Sequence, residues 1–256
     1  MSKAKKKTEI LDERPATNIE KNEDDFLKFV TNYWKYYLRL EEEFLTTRRY
    51  VEFSKDNYKS YSIEYLKLFQ AACSEIDVVG KFLAHICNKK FKETDKSSNI
   101  QKWWFEIQNS FADDSKQLCD QTVDFLKIQS LQPWKNYHIV HVQYFKDDNK
   151  KLRQGYKLSD SPKSETPRWW SAYNAVKHNR TTIVRGTRTN YSKANLWDTA
   201  NAFAALFLLE HDYLKAVGDQ NLRRRLAKSK LFERESIFDP KVEGDTLSFG
   251  FVDRID

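Results

Sequence analysis

Asn174 and His178 stand four residues apart in the stretch RWWSAYNAVKHNR, a spacing that sets both side chains on one face of a helix. An imidazole there can carry a proton near neutral pH, and a neighbouring amide can fix a substrate oxygen or orient the ring. Together the two could bracket a single phosphate. Arg180 and Lys177 lie close by in sequence and could offset negative charge developing on it, and Arg168 adds a cation at the start of the stretch. A histidine inside a helix is also commonly structural, and the spacing does not separate the two roles.

The surrounding segment widens the chemistry. From Thr166 to Trp197 there is no acidic residue, while Arg168, Lys177, Arg180, Arg185, Arg188 and Lys193 hold most of the excess charge of a chain whose formal net charge is +7. Trp169, Trp170 and Tyr173 interleave with these cations. Cations beside aromatic faces suit a nucleic-acid strand, the cations holding phosphates and the rings stacking on bases. Lys177, Arg185, Arg188, Trp170 and Tyr173 are therefore candidate RNA contacts. The same pattern also arises when the rings are core and the cations simply lie outside it.

Other constellations are poorer. His138 and His141 form an H-x-x-H, but on a strand the two rings point to opposite faces, and no Cys or carboxylate cluster lies near enough in sequence to complete a metal site. Glu75, in an apolar helix, could pair with Lys177 or Arg180, or simply flank that helix. The run Leu222–Arg234 carries six cations against one acid, Glu233, and reads either as a second RNA-facing strip or as a solvated helix face. The glycine-rich phosphate loops and the G-x-S-x-G elbow are absent, so nucleotide hydrolysis and serine-hydrolase chemistry have no support. Neither a metal nor a cofactor is expected.

The elements that must position these residues are mostly helices. Phe26, Val30, Tyr33, Tyr37, Leu40 and Phe44 recur at steps of three and four, which predicts a helix from Asp24 to about Arg49. Leu66, Phe69, Cys73, Ile76, Gly80, Leu83 and Cys87 continue the rhythm in a second helix from about Ser62, and two long helices joined by a loop suggest an antiparallel pair. Gly80 on that stripe points to a close helix crossing. A shorter helix over Ile100–Ser110 carries Trp103, Trp104 and Ile107. The stretch 113–165 reads as an irregular insertion: Thr122–Ile128 is ambiguous, and YHIVHVQYF over Tyr137–Phe145 alternates like a strand. Thr166 as N-cap and Pro167 as first helical residue start the helix of His178, which the β-branched and glycine-containing TTIVRGT ends. Ser192 then caps a last long helix that stops at Gly218, in a C′ position. Residues 1–22 read as a polar, flexible tail, and 219–256 as a basic extension whose DTLSFGFV has strand character.

The stretch WWSAYNAVKHNR, placed after a long helix pair and before another long helix, resembles the signature helix of the HEPN superfamily. That family's motif is an Arg, a polar residue that is often Asn, three variable residues and a His. Asn174 and His178 fit it, and Tyr173 takes the place of the Arg. YLRLEEEFLTTRRYVEF and EYLKLFQAACSEIDVVGK also look like the opening helices of bacterial proteins carrying such a helix. The resemblance implies a helical bundle in which two protomers bring their motif helices together. It further implies metal-independent cleavage of RNA, by attack of a ribose 2′-hydroxyl on the adjacent phosphate. His178 would then handle the proton, Asn174 would orient it, and Arg180 or Arg168 would stabilise the charge. It also implies an anti-phage, abortive-infection or toxin setting, in which an antitoxin or other defence partner protein is conceivable.

Composition agrees with the class. Of 256 residues, 40% are hydrophobic and 32% charged, and only six Gly and five Pro are present, which leaves room for long helices. No run of about 18 apolar residues occurs, so no membrane contact is expected. The start MSKAKKKTE has no apolar stretch of the secretory kind, and three cysteines without CxxC spacing suit a reducing, cytoplasmic setting. The sequence thus predicts an all-α, HEPN-like bundle of about five helices over 23–256, with a small irregular or β insertion. It predicts a homodimeric endoribonuclease, with a catalytically degenerate module that binds RNA or a protein as the alternative. A structural helical protein, with His178 buried and satisfied, is a third possibility.

Overall fold

The computed structural model describes residues 22–94, 98–110, 115–146, 152–160, 164–218 and 220–233. The tail 1–21 and the segment DTLSFGFV lie outside them.

The first helical stretch begins with α1 (Glu23–Phe29), where the Asn22 side chain accepts hydrogen bonds from the amides of Asp24 and Asp25. It passes through a π-helical turn, Val30–Trp34, into α2 (Lys35–Thr46). That turn changes which residues the three-four rhythm buries. Phe29 and Trp34 are five apart, which an unbroken α-helix would place on different faces; the wider turn brings both into the core and leaves Val30 and Tyr33 half-buried. The helix α3 (Ile63–Cys87) starts at Ser62, whose side chain accepts from the Tyr65 amide at 3.1 Å. Gly80 lies where α3 meets α4 (Ile100–Ser110), and a Cβ there would come within 2.8 Å of the Trp103 ring. The close crossing expected from Gly80 is present.

The centre of the molecule is α7 (Leu196–Val217), which packs on α1, α2, α3 and α6 (Arg168–Asn179). Its N-cap is Asn195 rather than Ser192. The Asn195 side chain accepts from the Asp198 amide at 2.9 Å, while Ser192 belongs to a preceding 3-10 turn, Asn190–Lys193. Gly218 ends the helix with φ −101°, an extended conformation open to any residue. Its lack of a side chain instead makes room for the Phe26 ring, which a Cβ would strike.

The region between α4 and α6 is built into the core. After α5 (Ser115–Asp120) come β1 (Val123–Phe125) and β2 (Gln129–Leu131), joined by a turn in which Leu126 and Lys127 have φ of 51° and 58°. A second hairpin pairs β3 (Ile139–Lys146) with β4 (Leu152–Leu158). Val123, Phe125, Trp134, Tyr137 and Ile139 are each 0–1% exposed, so this stretch contributes to the core. Trp134 stacks on Trp104 with centroids 4.2 Å apart and meets Trp169 of α6 edge-on at 5.1 Å. The Trp169 indole donates to the Pro133 carbonyl at 2.8 Å, which fastens the start of α6 to this region.

The chain beyond Gly218 also returns to the body. After α8 (Gln220–Arg224), the amide of Lys230 and the hydroxyl of Ser229 donate to Glu41, whose carboxylate is buried in α2. A short strand β7 (Phe232–Glu233) then pairs antiparallel with β1, making a three-stranded sheet of order β2-β1-β7. The fold is mostly helical with a minor share of strand. No helix among the described residues is long and apolar enough to cross a membrane.

Candidate functional site

The helix α6 divides by face. Trp169, Trp170, Ala172, Tyr173 and Val176 are buried, whereas Ser171, Asn174, Lys177 and His178 are exposed. The apolar residues recur so that one stripe seats on α3 and α7, which leaves the opposite stripe to solvent. Pro167, with φ −52° and ψ 131°, stands just outside the helix, so Arg168 rather than Pro167 is its first residue and Thr166 does not cap it. Beyond Asn179 the chain forms a hairpin of β5 (Ile183–Arg185) and β6 (Arg188–Thr189), with Gly186 in a left-handed conformation at its tip. Asn190 ties the hairpin base to α6 by donating its side-chain amide to the Asn179 carbonyl at 2.8 Å. Residues 177–188 are all exposed.

Asn174 and His178 therefore share an open stripe. Neither side chain has a hydrogen-bond partner among the described residues. Burial and satisfaction of His178, which a purely structural role requires, are not found.

The cations predicted to assist them go elsewhere. Arg168 precedes His178 by ten residues on the helix, a separation of about 15 Å along the axis. Its guanidinium lies against Asp198 at the start of α7, with Nε 3.3 Å from Oδ1 and Nη2 3.5 Å from Oδ2. That carboxyl is buried, which pushes its pKa up, and the Arg168 charge and the Asn195 amide pull it back. Arg180 turns towards α3, where Nη2 donates to Gln70 Oε1 at 3.5 Å. Lys177 lies over the Tyr173 ring, 5.4 Å from its centroid. Arg168, Arg180 and Lys177 thus each touch a group other than Asn174 or His178.

Trp170 and Tyr173 must be withdrawn as stacking surfaces. They are 9% and 7% exposed, they pack on each other, and Tyr173 meets Phe69 of α3 edge-on. Burial raises the Tyr173 pKa, with Lys177 opposing. Arg185 and Arg188 do stand on the exposed hairpin.

Two shallow clefts flank the Arg168–Asp198 pair, one of about 180 Å³ bordered by Asn136, Gln132 and Trp197, the other of about 330 Å³. The larger is lined by Lys59, Arg168, Arg188 and Lys193, a grouping that spans more than 130 residues of sequence and was not foreseen. Only the absence of acids over 166–197 hinted at it, and Lys59 had no signal.

No family model, curated protein or solved structure matches this chain. The HEPN resemblance therefore rests on the motifs of the sequence alone.

The remaining sequence candidates have structural surroundings. The Glu75 carboxyl is half-buried, its pKa raised by that burial, and it acts electrostatically on Tyr33, Tyr36 and Glu210, away from Lys177 and Arg180. His138 Nδ1 lies 3.6 Å from Cys119 Sγ, and the His141 ring packs near Phe105 and Tyr156. Among the described residues no group of three or more His, Cys, Asp or Glu could hold a metal ion. All three cysteines are buried thiols, and burial pushes Cys87 and Cys119 up to about 12.

Proposed function

We propose that this chain is a HEPN-like module that binds RNA through the basic outer side of α6 and its hairpin. The observation that carries the reading is the disposition of the acid-free segment: Lys177, Arg180, Arg185 and Arg188 are exposed, and no carboxylate of that segment neutralises them. Affinity would come from phosphate contacts, so it should fall steeply with salt. Base stacking by Trp170 and Tyr173 is not part of the proposal, because both rings are buried.

A second reading, metal-independent cleavage, is favoured by the open Asn174–His178 stripe. There His178 would take the proton of a ribose 2′-hydroxyl and Asn174 would hold the phosphate or the ring. A cation is needed where charge develops, and loss of one such stabiliser costs about 10²–10³ in rate. Tyr173 is not a cation and Arg168 of the same chain is too far along the helix. A second copy with its own α6 running antiparallel would supply its Arg168 at that end, so cleavage would require a homodimer.

The test combines binding and cleavage. Filter binding of a mixed RNA pool should show salt-sensitive retention that drops when Arg185 and Arg188 are replaced by Ala. Salt-insensitive binding, or none, would remove the RNA reading. In the same samples without added metal, cyclic phosphate ends produced by the wild type and not by His178→Ala would move the conclusion to the nuclease. Intact RNA keeps it with the binding module.

A further inference from the structure

The 330 Å³ cleft is walled by side chains from four separate parts of the chain: Lys59 of the loop between α2 and α3, Arg168 and Ser171 of α6, Arg188 of β6, and Lys193 of the 3-10 turn. Four cations face one carboxylate, Asp198, which is buried behind them and engaged by Arg168 and Asn195. Lys59, Arg188 and Lys193 have no ion-pair partner among the described residues. Like charges converging on one hollow repel each other, and an anion of more than one charge relieves that repulsion.

The kind of anion follows from the walls. Among the described residues no aromatic ring lines this cleft, so none of them stacks a base there. The start of α7 does not offer free amides: Leu196 and Trp197 donate to the carbonyls of Ser60 and Tyr58, and Asp198 to its own cap. Recognition must therefore come from the cationic side chains and the exposed hydroxyl of Ser171. Asp198 positions the Arg168 guanidinium at the wall, as a carboxylate behind an anion-binding arginine does. After Asp198 is counted, the excess of cations exceeds what a single phosphodiester charge would balance. A phosphomonoester dianion is the better match.

We infer that this cleft binds a phosphomonoester, recognising the phosphate and not the base attached to it. The inference rests on the RNA reading for one of the two sources of such a group, a phosphorylated strand end; a free nucleotide is the other. Lys59, Arg188 and Lys193 supply charge, and Arg168 supplies a fork held by Asp198.

The experiment measures affinities by fluorescence anisotropy and competition at one salt concentration. The probes are an oligoribonucleotide with a 5′-phosphate, a 3′-phosphate or hydroxyl ends, together with adenosine monophosphate and adenosine. The phosphorylated strand should bind about tenfold tighter than the hydroxyl-ended one, the effect of gaining a charge-assisted hydrogen bond. Lys193→Ala and Lys59→Ala should each erase that preference, with melting temperatures confirming that both variants fold. Equal binding of all strand ends, with no preference for the nucleotide over adenosine, overturns the cleft while leaving RNA binding in place. Preference for the monophosphate over adenosine without any RNA binding upholds the cleft with a free nucleotide as its source, and removes the RNA reading. Binding of no probe removes both.

Discussion

The helices α6 and α7 start beside each other, joined by the Arg168–Asp198 pair, yet they solve opposite problems. In α7, 18 of 22 residues are buried, and the sequence is Ala, Leu and Phe on nearly every side. In α6, five of 12 are buried, all on one stripe, and the rest meet solvent. Most positions of α7 are thus answerable to packing, where a methylene gained or lost is felt. The outer positions of α6 and its hairpin are answerable to almost nothing within the chain. An unpartnered histidine or a row of cations can persist there without any role in stability.

The buried stripe of α6 is anchored on an aromatic cluster. Trp134 is fully buried and contacts Trp103, Trp104, Tyr137 and Trp169, so it links α4, the β-containing region and α6. Trp134→Ala should cost about 3–5 kcal/mol, the range for a large aromatic removed from a core. Denaturant unfolding followed by circular dichroism would measure it. A loss below about 1 kcal/mol would mean that the region between α4 and α6 is separable after all, since only surface changes are ordinarily that mild.

A buried carboxylate violates the rule within α7 itself. Glu210 is 0% exposed, and neither carboxyl oxygen has a hydrogen-bond partner among the described residues. Burial holds its pKa well above the usual carboxylate range, and the charge of Glu75 on α3 adds to the shift; Tyr37, itself near Glu41, is the other titratable group that senses it. Below the ordinary carboxylate range both folded and unfolded chains keep the proton and the group costs little. As pH rises from there towards the folded-state value, the unfolded chain releases its proton and the folded chain does not, so stability is lost across that window. Glu210→Leu should therefore stabilise the protein at pH 7 by about 1–3 kcal/mol, the cost of an unpaired buried polar group. The gain should shrink as melting is repeated towards pH 4. A variant that melts lower than wild type at pH 7 would mean the carboxylate is held by something it needs.

Much of this architecture was legible because helical periodicity survives in the residue pattern. The stripe through Phe69, Cys73, Ile76, Gly80, Leu83 and Cys87 is buried as its spacing implies. Two kinds of feature were not legible. The π-helical turn at Val30–Trp34 shifts burial to Phe29 and Trp34, and a three-four count has no way to register an inserted residue. The β1–β2 turn places Leu126 and Lys127 in left-handed conformations, steadied by Asp124 accepting from the Lys127 amide at 2.5 Å. Such hairpins normally announce themselves with Asn-Gly or Asp-Gly, and this one does not. At the site, the shared face of Asn174 and His178 could be read from spacing. Whether Trp170 and Tyr173 faced in or out depended on tertiary packing, and the cationic cleft depended on Lys59 arriving from a distant loop.

The smallest stability effect belongs to the outer stripe of α6. Replacing both Asn174 and His178 with Ala should leave the free energy of unfolding within about 0.5 kcal/mol of wild type, as surface substitutions without partners do. Ala is also the stronger helix former at both positions, so any change should lean towards stabilisation. The reading to compare is Val176→Ala on the same helix, which removes two methyl groups from a fully buried position and should destabilise clearly more. If the double variant instead loses as much as Val176→Ala, the outer stripe is packed against something in solution. The covering surface would then be a second copy of the chain, and the loss would diminish on dilution, because stability linked to association depends on protein concentration.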